Sequence, residues 1–154
     1  MELLEKDLEH LIMTTPMSEL MKRGLFITGH RIKQITLGNY GRFDIVTVSK
    51  ISHEYYDIRV YELKKDKIDP LAFWQAARYM AGIRHWLSIY RPNYVINVSI
   101  ALIGSYIDAS TGIGYLPDIF PEINLYTYDY RYDGIWFKGS RGFTLIDHGF
   151  TKIK

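Results

Sequence analysis

The sequence predicts a mixed α/β domain built around a central sheet, and three observations carry that expectation. Residues 1–13 and 70–87 place apolar side chains at helical spacing. Residues 43–48 and 57–64 have the alternation and β-branched, aromatic character of neighbouring strands. Residues 94–103 form an almost unbroken apolar run, the pattern of a strand covered on both faces.

A chain of 154 residues is enough for a single domain, and neither an internal repeat nor a second domain is visible. Its 47% apolar and 23% charged residues are ordinary for a soluble globular protein. The longest apolar run is far short of the roughly 18 residues that a membrane span requires. Glu2 and Glu5 give the amino end the wrong sign for a signal peptide. Without cysteine there is neither a disulfide frame nor a cysteine-based zinc site, so a reducing, cytoplasmic setting is the expectation. The net charge of +2 does not announce a nucleic-acid binder, but its distribution is uneven. Arg31, Lys33, Arg42, Lys64, Lys65, Lys67, Arg78 and Arg84 precede residue 92, whereas Pro92 to Asp133 carries five acids against Arg131 alone. A basic side of that kind can follow a phosphate backbone or simply be solvated.

Taken in order, Leu4, Leu8, Leu11 and Ile12 make a helical stripe, with Glu2, Lys6, Glu9 and His10 opposite. Glu5 falls beside Ile12 at the stripe's edge, and Asp7 borders the other edge. Thr15-Pro16 is expected to open a short second helix with proline in its first position, closed by Gly24. Leu25 to Ile27 and Arg31 to Thr36 read as one or two short strands. Gly38 to Gly41 is turn chemistry; it lacks the Gly-Lys-Ser/Thr pattern and the following helix of a phosphate loop. Strict alternation on the next strand puts Phe43, Ile45 and Thr47 on one face and Arg42, Asp44, Val46 and Val48 on the other. Asp44 thus shares a face with two valines and calls for a partner, either Arg42 or a metal. On the following strand Glu62 and Lys64 share a face while Leu63 points away.

Asp69-Pro70 predicts an N-cap and first-turn proline for a helix running to about Leu87, apolar almost all round and therefore largely buried. Gln75 and Tyr79, four apart, lie on one side of it. Gly104 to Pro121 is loop-like. Tyr126, Tyr128, Tyr130 and Tyr132 alternate with polar residues, a row suited to sheet packing or to stacking bases. Asp133-Gly134 predicts a hairpin into Ile135–Lys138, and Phe143–Ile146 is expected to close the sheet.

Leu4-Glu5-Lys6-Asp7-Leu8, Gly-Arg-Phe-Asp at 41–44, Tyr-Glu-Leu-Lys at 61–64 and Gln75-Ala-Ala-Arg-Tyr79 together resemble the PD-(D/E)XK nuclease superfamily. The likeness is to its branch of RecB-type exonuclease domains and NucS-type endonucleases, with their first-helix acid, Gly-Arg-x-Asp strand, Glu-x-Lys strand and Gln-x-x-x-Tyr helix. It spans Met1 to about Gly104, which makes 1–104 the motif-bearing core and 105–154 a C-terminal β extension. The resemblance implies a restriction-endonuclease-like αβββαβ core, with a mixed sheet flanked by helices and C-terminal hairpins. It implies metal-dependent hydrolysis of DNA, with Asp44, Glu62 and the Leu63 carbonyl holding Mg²⁺ or Mn²⁺. Lys64 would act on the attacking water or the phosphate, and Glu5 on a water at the metal. Gln75 and Tyr79 would orient substrate or the lysine, and Arg42 and Arg78 would meet phosphates. Two other readings fit the same residues: a member of the fold that binds nucleic acid or protein without cutting, and a structural subunit of a homodimer or larger assembly.

Overall fold

The computed structural model describes residues 5–139. The strand expected at Phe143–Ile146 lies outside the described residues. In chain order the elements are α1 (Glu5–Thr14), α2 (Met17–Lys22), β1 (His30–Thr36), β2 (Arg42–Ser52), β3 (Tyr55–Leu63), β4 (Lys67–Ile68) and α3 (Pro70–Tyr90). These are followed by β5 (Val95–Gly104), β6 (Tyr106–Ile107), α4 (Leu116–Ile119), β7 (Ile123–Arg131) and β8 (Gly134–Gly139), with three short 3₁₀ turns between elements.

Six strands form a mixed sheet in the order β1-β2-β3-β5-β7-β8. The first three strands are joined as an antiparallel meander. From β3 the chain crosses through α3 to a parallel neighbour, β5, which pairs in parallel with β7 in turn. The Asp133-Gly134 hairpin then returns β8 antiparallel to β7, as its turn residues predict. Strands β4 and β6 make a separate two-stranded ribbon.

The sheet has a helical layer on each side. Leu8, Ile12 and Leu20 of α1 and α2 pack against Ile45, Tyr61, Leu63, Ile103, Tyr126 and Phe137. Tyr79 and Ile83 of α3 pack on the other face against Phe43, Val46, Val60 and Val98. Period-two alternation explains the split along β3 and β5: Val60, Ile100 and Leu102 look toward α3, while Tyr61, Leu63, Ala101 and Ile103 look toward α1. Within the tyrosine row, Tyr126 and Tyr128 are buried in the α1 layer, Tyr130 is exposed and Tyr132 stands fully in solvent in the turn. Sheet packing therefore claims two of the four.

The structure departs from the sequence expectations in several places. Leu25 and Ile27 are buried core residues, yet only His30–Thr36 forms a strand there. Pro16 is the N-cap of α2 and not its first helical residue. Residues 104–121 carry a short strand, 3₁₀ turns and a one-turn helix where a plain loop is expected. Helix α3 does begin as predicted, the Asp69 side chain accepting a bond from the Ala72 amide at 3.0 Å. It is not largely buried, however: Leu71, Trp74, Trp86, Ile89 and Tyr90 are exposed. Only one side of the helix meets the sheet, because no further layer covers the other side among the described residues.

The turn before β2 is keyed to α3 by two reciprocal glycine–aromatic contacts. Gly41 has φ +108°, and a Cβ there would lie 2.5 Å from Tyr79 Cε1. In return, a Cβ at Gly82 would lie 2.5 Å from Tyr40 Cγ. In a free helix Gly82→Ala would stabilise by roughly 1 kcal/mol. Here the methyl must displace the root of the Tyr40 ring, and overpacking of that kind costs about 1–3 kcal/mol. Gly82→Ala is therefore expected to lower stability in urea or thermal unfolding; a rise would show that Tyr40 yields freely.

Candidate active site

The site forms where β2 parts from β3. Their ladder runs from Ser52 opposite Tyr55, through a register shift between Lys50 and Ser52, to Ile45 opposite Tyr61 and stops. Continued in the same register, it would set Asp44 opposite Glu62 and Phe43 opposite Leu63. Instead Phe43 turns to the α3 face and packs on Tyr79, with ring centroids 4.8 Å apart. This breaks the strict alternation expected for the strand, which joined Phe43 with Ile45. Across the other edge, Gln34 adopts φ +54° and drops out of the pairing that surrounds it, Lys33–Ile45 on one side and Ile35–Phe43 on the other. The disruption is local, because the register is the same before and after it.

The Asp44 carboxylate fills the gap left in the ladder. Its Oδ2 accepts a hydrogen bond from the Leu63 amide at 2.8 Å. Arg42 is exposed and is not the partner of Asp44. Burial raises the pKa of Asp44 above the ordinary carboxylate range; the Leu63 bond lowers it, Glu5 and Glu9 raise it, and Lys64 lowers it.

Glu62 is the most constrained group of the set. It lies at the foot of the α3 layer, 5% exposed, on the face it shares with Val60. Its Oε1 lies 3.5 Å from Lys64 Nζ. Its Oε2 is the one buried side-chain polar atom without a hydrogen-bond partner among the described residues. Burial, then the Asp44 charge, push its pKa up to about 8 against the pull of Lys64. A buried carboxylate oxygen with nothing to bond costs free energy unless a cation or proton meets it.

Lys64 is fixed from the helix side. Its Nζ donates to Gln75 Oε1 at 2.6 Å, which aims the ammonium along the sheet's end toward Glu62. Burial also raises the Tyr79 phenol, with smaller contributions from Glu62 and Asp44, against Arg78. That response places Tyr79 within electrostatic reach of both acids. Arg78 is exposed at the rim with Arg42. Glu5 is exposed at the start of α1, and its Oε1 accepts from the Lys65 amide at 3.1 Å. The Lys65 carbonyl in turn accepts from the Tyr128 hydroxyl.

Asp44, Glu62, Leu63, Lys64, Gln75, Tyr79 and Glu5 therefore meet at one end of the sheet, with Arg42 and Arg78 at its margin. Sequence reasoning missed Glu9, which acts on Asp44 and whose carboxylate accepts from Gln34 Nε2 at 3.0 Å. The signal was available, since Glu5 and Glu9 are four apart on one helix and share a side. It also missed Tyr40 and Gly82, which set the turn against α3. A glycine inside an otherwise good helix was the clue.

Among the described residues, no three His, Cys, Asp or Glu side chains are gathered as a complete metal cage. The donors that are present, two carboxylates with one oxygen unpaired, fit a hard ion that keeps most of its waters, as Mg²⁺ does. They do not fit a soft-ligand site. No family model, curated protein or solved structure matches the chain.

Glu62 also makes stability depend on pH. Its folded pKa of about 8 lies above its ordinary 4.5, so between these values the folded chain binds more protons than the unfolded one. The stability it contributes is fully present below the lower value and is lost as pH rises through the upper one. The loss is at most about 1.4 kcal/mol per pH unit from this group. Unfolding in EDTA is expected to show stability falling across this window and levelling above it. Glu62→Gln, which cannot ionise, should flatten the fall and melt higher than wild type above pH 8. Identical pH profiles for the two proteins would disprove the assignment.

Proposed function

We propose that this chain is a metal-dependent nuclease of restriction-endonuclease-like fold that hydrolyses phosphodiester bonds in DNA. One observation carries the reading: the buried Glu62 carboxylate keeps an oxygen unpaired beside Asp44, while the neighbouring Lys64 is held by Gln75. A fold maintained for stability alone gains nothing from that arrangement, since an apolar side chain at 62 would avoid the cost. The succession of helix, antiparallel meander, crossover helix and parallel strand supports the fold assignment. Asp44 and Glu62 on neighbouring strands, Lys64 just past the second, and Gln75 and Tyr79 on the crossover helix support the same reading.

Asp44, Glu62 and the Leu63 carbonyl would hold Mg²⁺ or Mn²⁺. Such an ion, when bound, supplies an acidified water and neutralises charge on the scissile phosphate. The remaining work falls to the chain. Gln75 accepts a hydrogen bond from one Lys64 N–H and leaves the others of the ammonium to direct the attacking water or meet the phosphate oxygens. Tyr79, wedged against Gly41 and Phe43, holds the turn that leads into β2 and Asp44. Glu5, bonded to the Lys65 amide, fixes the backbone that follows Lys64 and can orient a water from the α1 side. Arg42 and Arg78 stand outside the acids, where a phosphate backbone would approach.

Incubation with single-stranded, duplex and branched DNA in Mg²⁺ or Mn²⁺ tests the reading directly. Wild type is expected to cleave at least one form and Asp44→Ala none. Lys64→Ala should lose about 100- to 10,000-fold in rate. Calorimetry with Mn²⁺ alone should show binding that Glu62→Ala abolishes. Metal binding without cleavage of any substrate would reassign the chain to a non-cutting member of the fold. Absence of both would end the proposal.

A further inference from the structure

A second cleft, of about 550 Å³, opens on the α1 face of the sheet, and its lining includes Phe26, Arg59, Asn97, Ser99, Glu122 and Asn124. We propose that it binds a small phosphate monoester of nucleotide size, a nucleoside monophosphate, with Arg59 on the phosphate. Such a site is separate from the acids and does not depend on the nuclease reading. In the β3–β5 register Arg59 lies opposite Ser99 and Asp57 opposite Asn97, and Asn124 lies opposite Ala101 on β7. Alternation puts all of them on the face of Tyr61 and Ala101. Arg59 stands three positions before Glu62 on β3, roughly 10 Å along the strand, and points to the opposite side of the sheet.

The cation is held in place before any ligand arrives. Arg59 Nε donates to Ser99 Oγ at 3.1 Å, and Ser99 is a buried hydroxyl between Val98 and Ile100 in an otherwise apolar strand. The guanidinium carbon lies 4.8 Å from the centroid of the Phe26 ring. The Tyr61 hydroxyl in turn donates to the Phe26 carbonyl at 3.0 Å, which fixes the backbone that carries the ring. No acid is ion-paired with Arg59 among the described residues. Asp57, on the same face, accepts from Asn97 Nδ2 at 2.7 Å instead. A half-buried cation set on a sheet without a counter-charge is costly, and a phosphate meets its planar fork bidentately.

The rest of the lining selects the ligand. The volume falls within the roughly 300–1,000 Å³ of small-molecule sites and exceeds what a bare phosphate fills. The Asn124 side chain is half-buried and makes no hydrogen bond to the described residues, so its amide offers the paired donor and acceptor that read the edge of a base. Glu122 serves the sheet through its carbonyl, which accepts from the Ile100 amide at 2.8 Å. Its carboxylate is left to accept from sugar hydroxyls, and it repels the further phosphates of a nucleic-acid strand. A nucleoside monophosphate engages all three groups, with its phosphate on Arg59, its hydroxyls on Glu122 and its base on Asn124.

The test is titration calorimetry of the full chain in EDTA, which removes metal from the acids. Its probes are the 5′-monophosphates of adenosine, guanosine, cytidine and uridine, their nucleosides, and inorganic phosphate. At least one nucleotide should bind about tenfold or more tightly than its nucleoside. The same nucleotide should also bind more tightly than inorganic phosphate. Arg59→Gln should erase the advantage over the nucleoside. Asn124→Ala removes a side chain that bonds to nothing in the fold and should weaken nucleotide binding by about 2- to 10-fold. Asp44→Ala should leave all of these affinities unchanged. The assignment is overturned if no nucleotide binds, if nucleotide and nucleoside bind alike, or if inorganic phosphate binds as tightly as any nucleotide. It is also overturned if binding survives Arg59→Gln or Asn124→Ala unchanged, or if Asp44→Ala abolishes it, which would put the nucleotide among the acids. Circular dichroism checks the fold of each variant, and should Arg59→Gln not fold, Asn124→Ala decides alone.

Discussion

The Asp44 side chain does the work of a missing piece of sheet. An antiparallel ladder leaves no room for a functional carboxylate between two bonded strands, so the strands have to separate before one can be seated there. Separation strands backbone donors, and the Leu63 amide is the one that would be left buried. Asp44 meets that donor at 2.8 Å. The same act holds the carboxylate beside Glu62 and keeps the opening from closing. Everything that shapes the site acts on this parting: Phe43 turning toward α3, the positive φ of Gln34 on the neighbouring strand, and the two glycines through which turn and helix interlock.

Once the strands are parted, electrostatics sets the character of the place. Glu5 and Glu9 press on Asp44, and Asp44 and Glu5 press on Glu62; the Leu63 amide and Lys64 oppose them at Asp44, and Lys64 alone opposes them at Glu62. Low polarity magnifies each charge, so both inner carboxylates hold their protons more tightly than they would in water. Such a cluster is under strain without a counter-charge and relaxed with one. The unpaired Glu62 oxygen is the geometric form of the same imbalance.

The sequence was most legible where period and chemistry agreed. Val60 and Glu62 alternate with Tyr61 and Leu63, and the structure keeps that alternation to Leu63, where β3 ends one residue before the expected Lys64. Asp69-Pro70 marked the start of α3, and Asp133-Gly134 marked the hairpin. It was misleading at Phe43, because a strand's period says nothing about where the strand will bend away from its neighbour. It was misleading again along α3, where apolar composition was taken for burial. Trp74 and Leu71 are as apolar as Ile83, but only tertiary packing decides which of them meets the sheet. Glu9 was within reach only through its place one turn from Glu5, because its partners, Gln34 and Asp44, belong to separate strands.

The residue after the lysine has a consequence for how this protein can change over time. Lys65 is held through its main chain alone in two of its bonds, giving its amide to Glu5 and receiving the Tyr128 hydroxyl on its carbonyl. Both bonds outlast a change of side chain, with proline excepted because it has no amide hydrogen to give. Neither outlasts a change of length. An added or deleted residue between Glu62 and Lys64 would turn Lys64 to the opposite side and move Lys65 out of both clasps at once. Drift at this position is thus tolerated in spelling and forbidden in count.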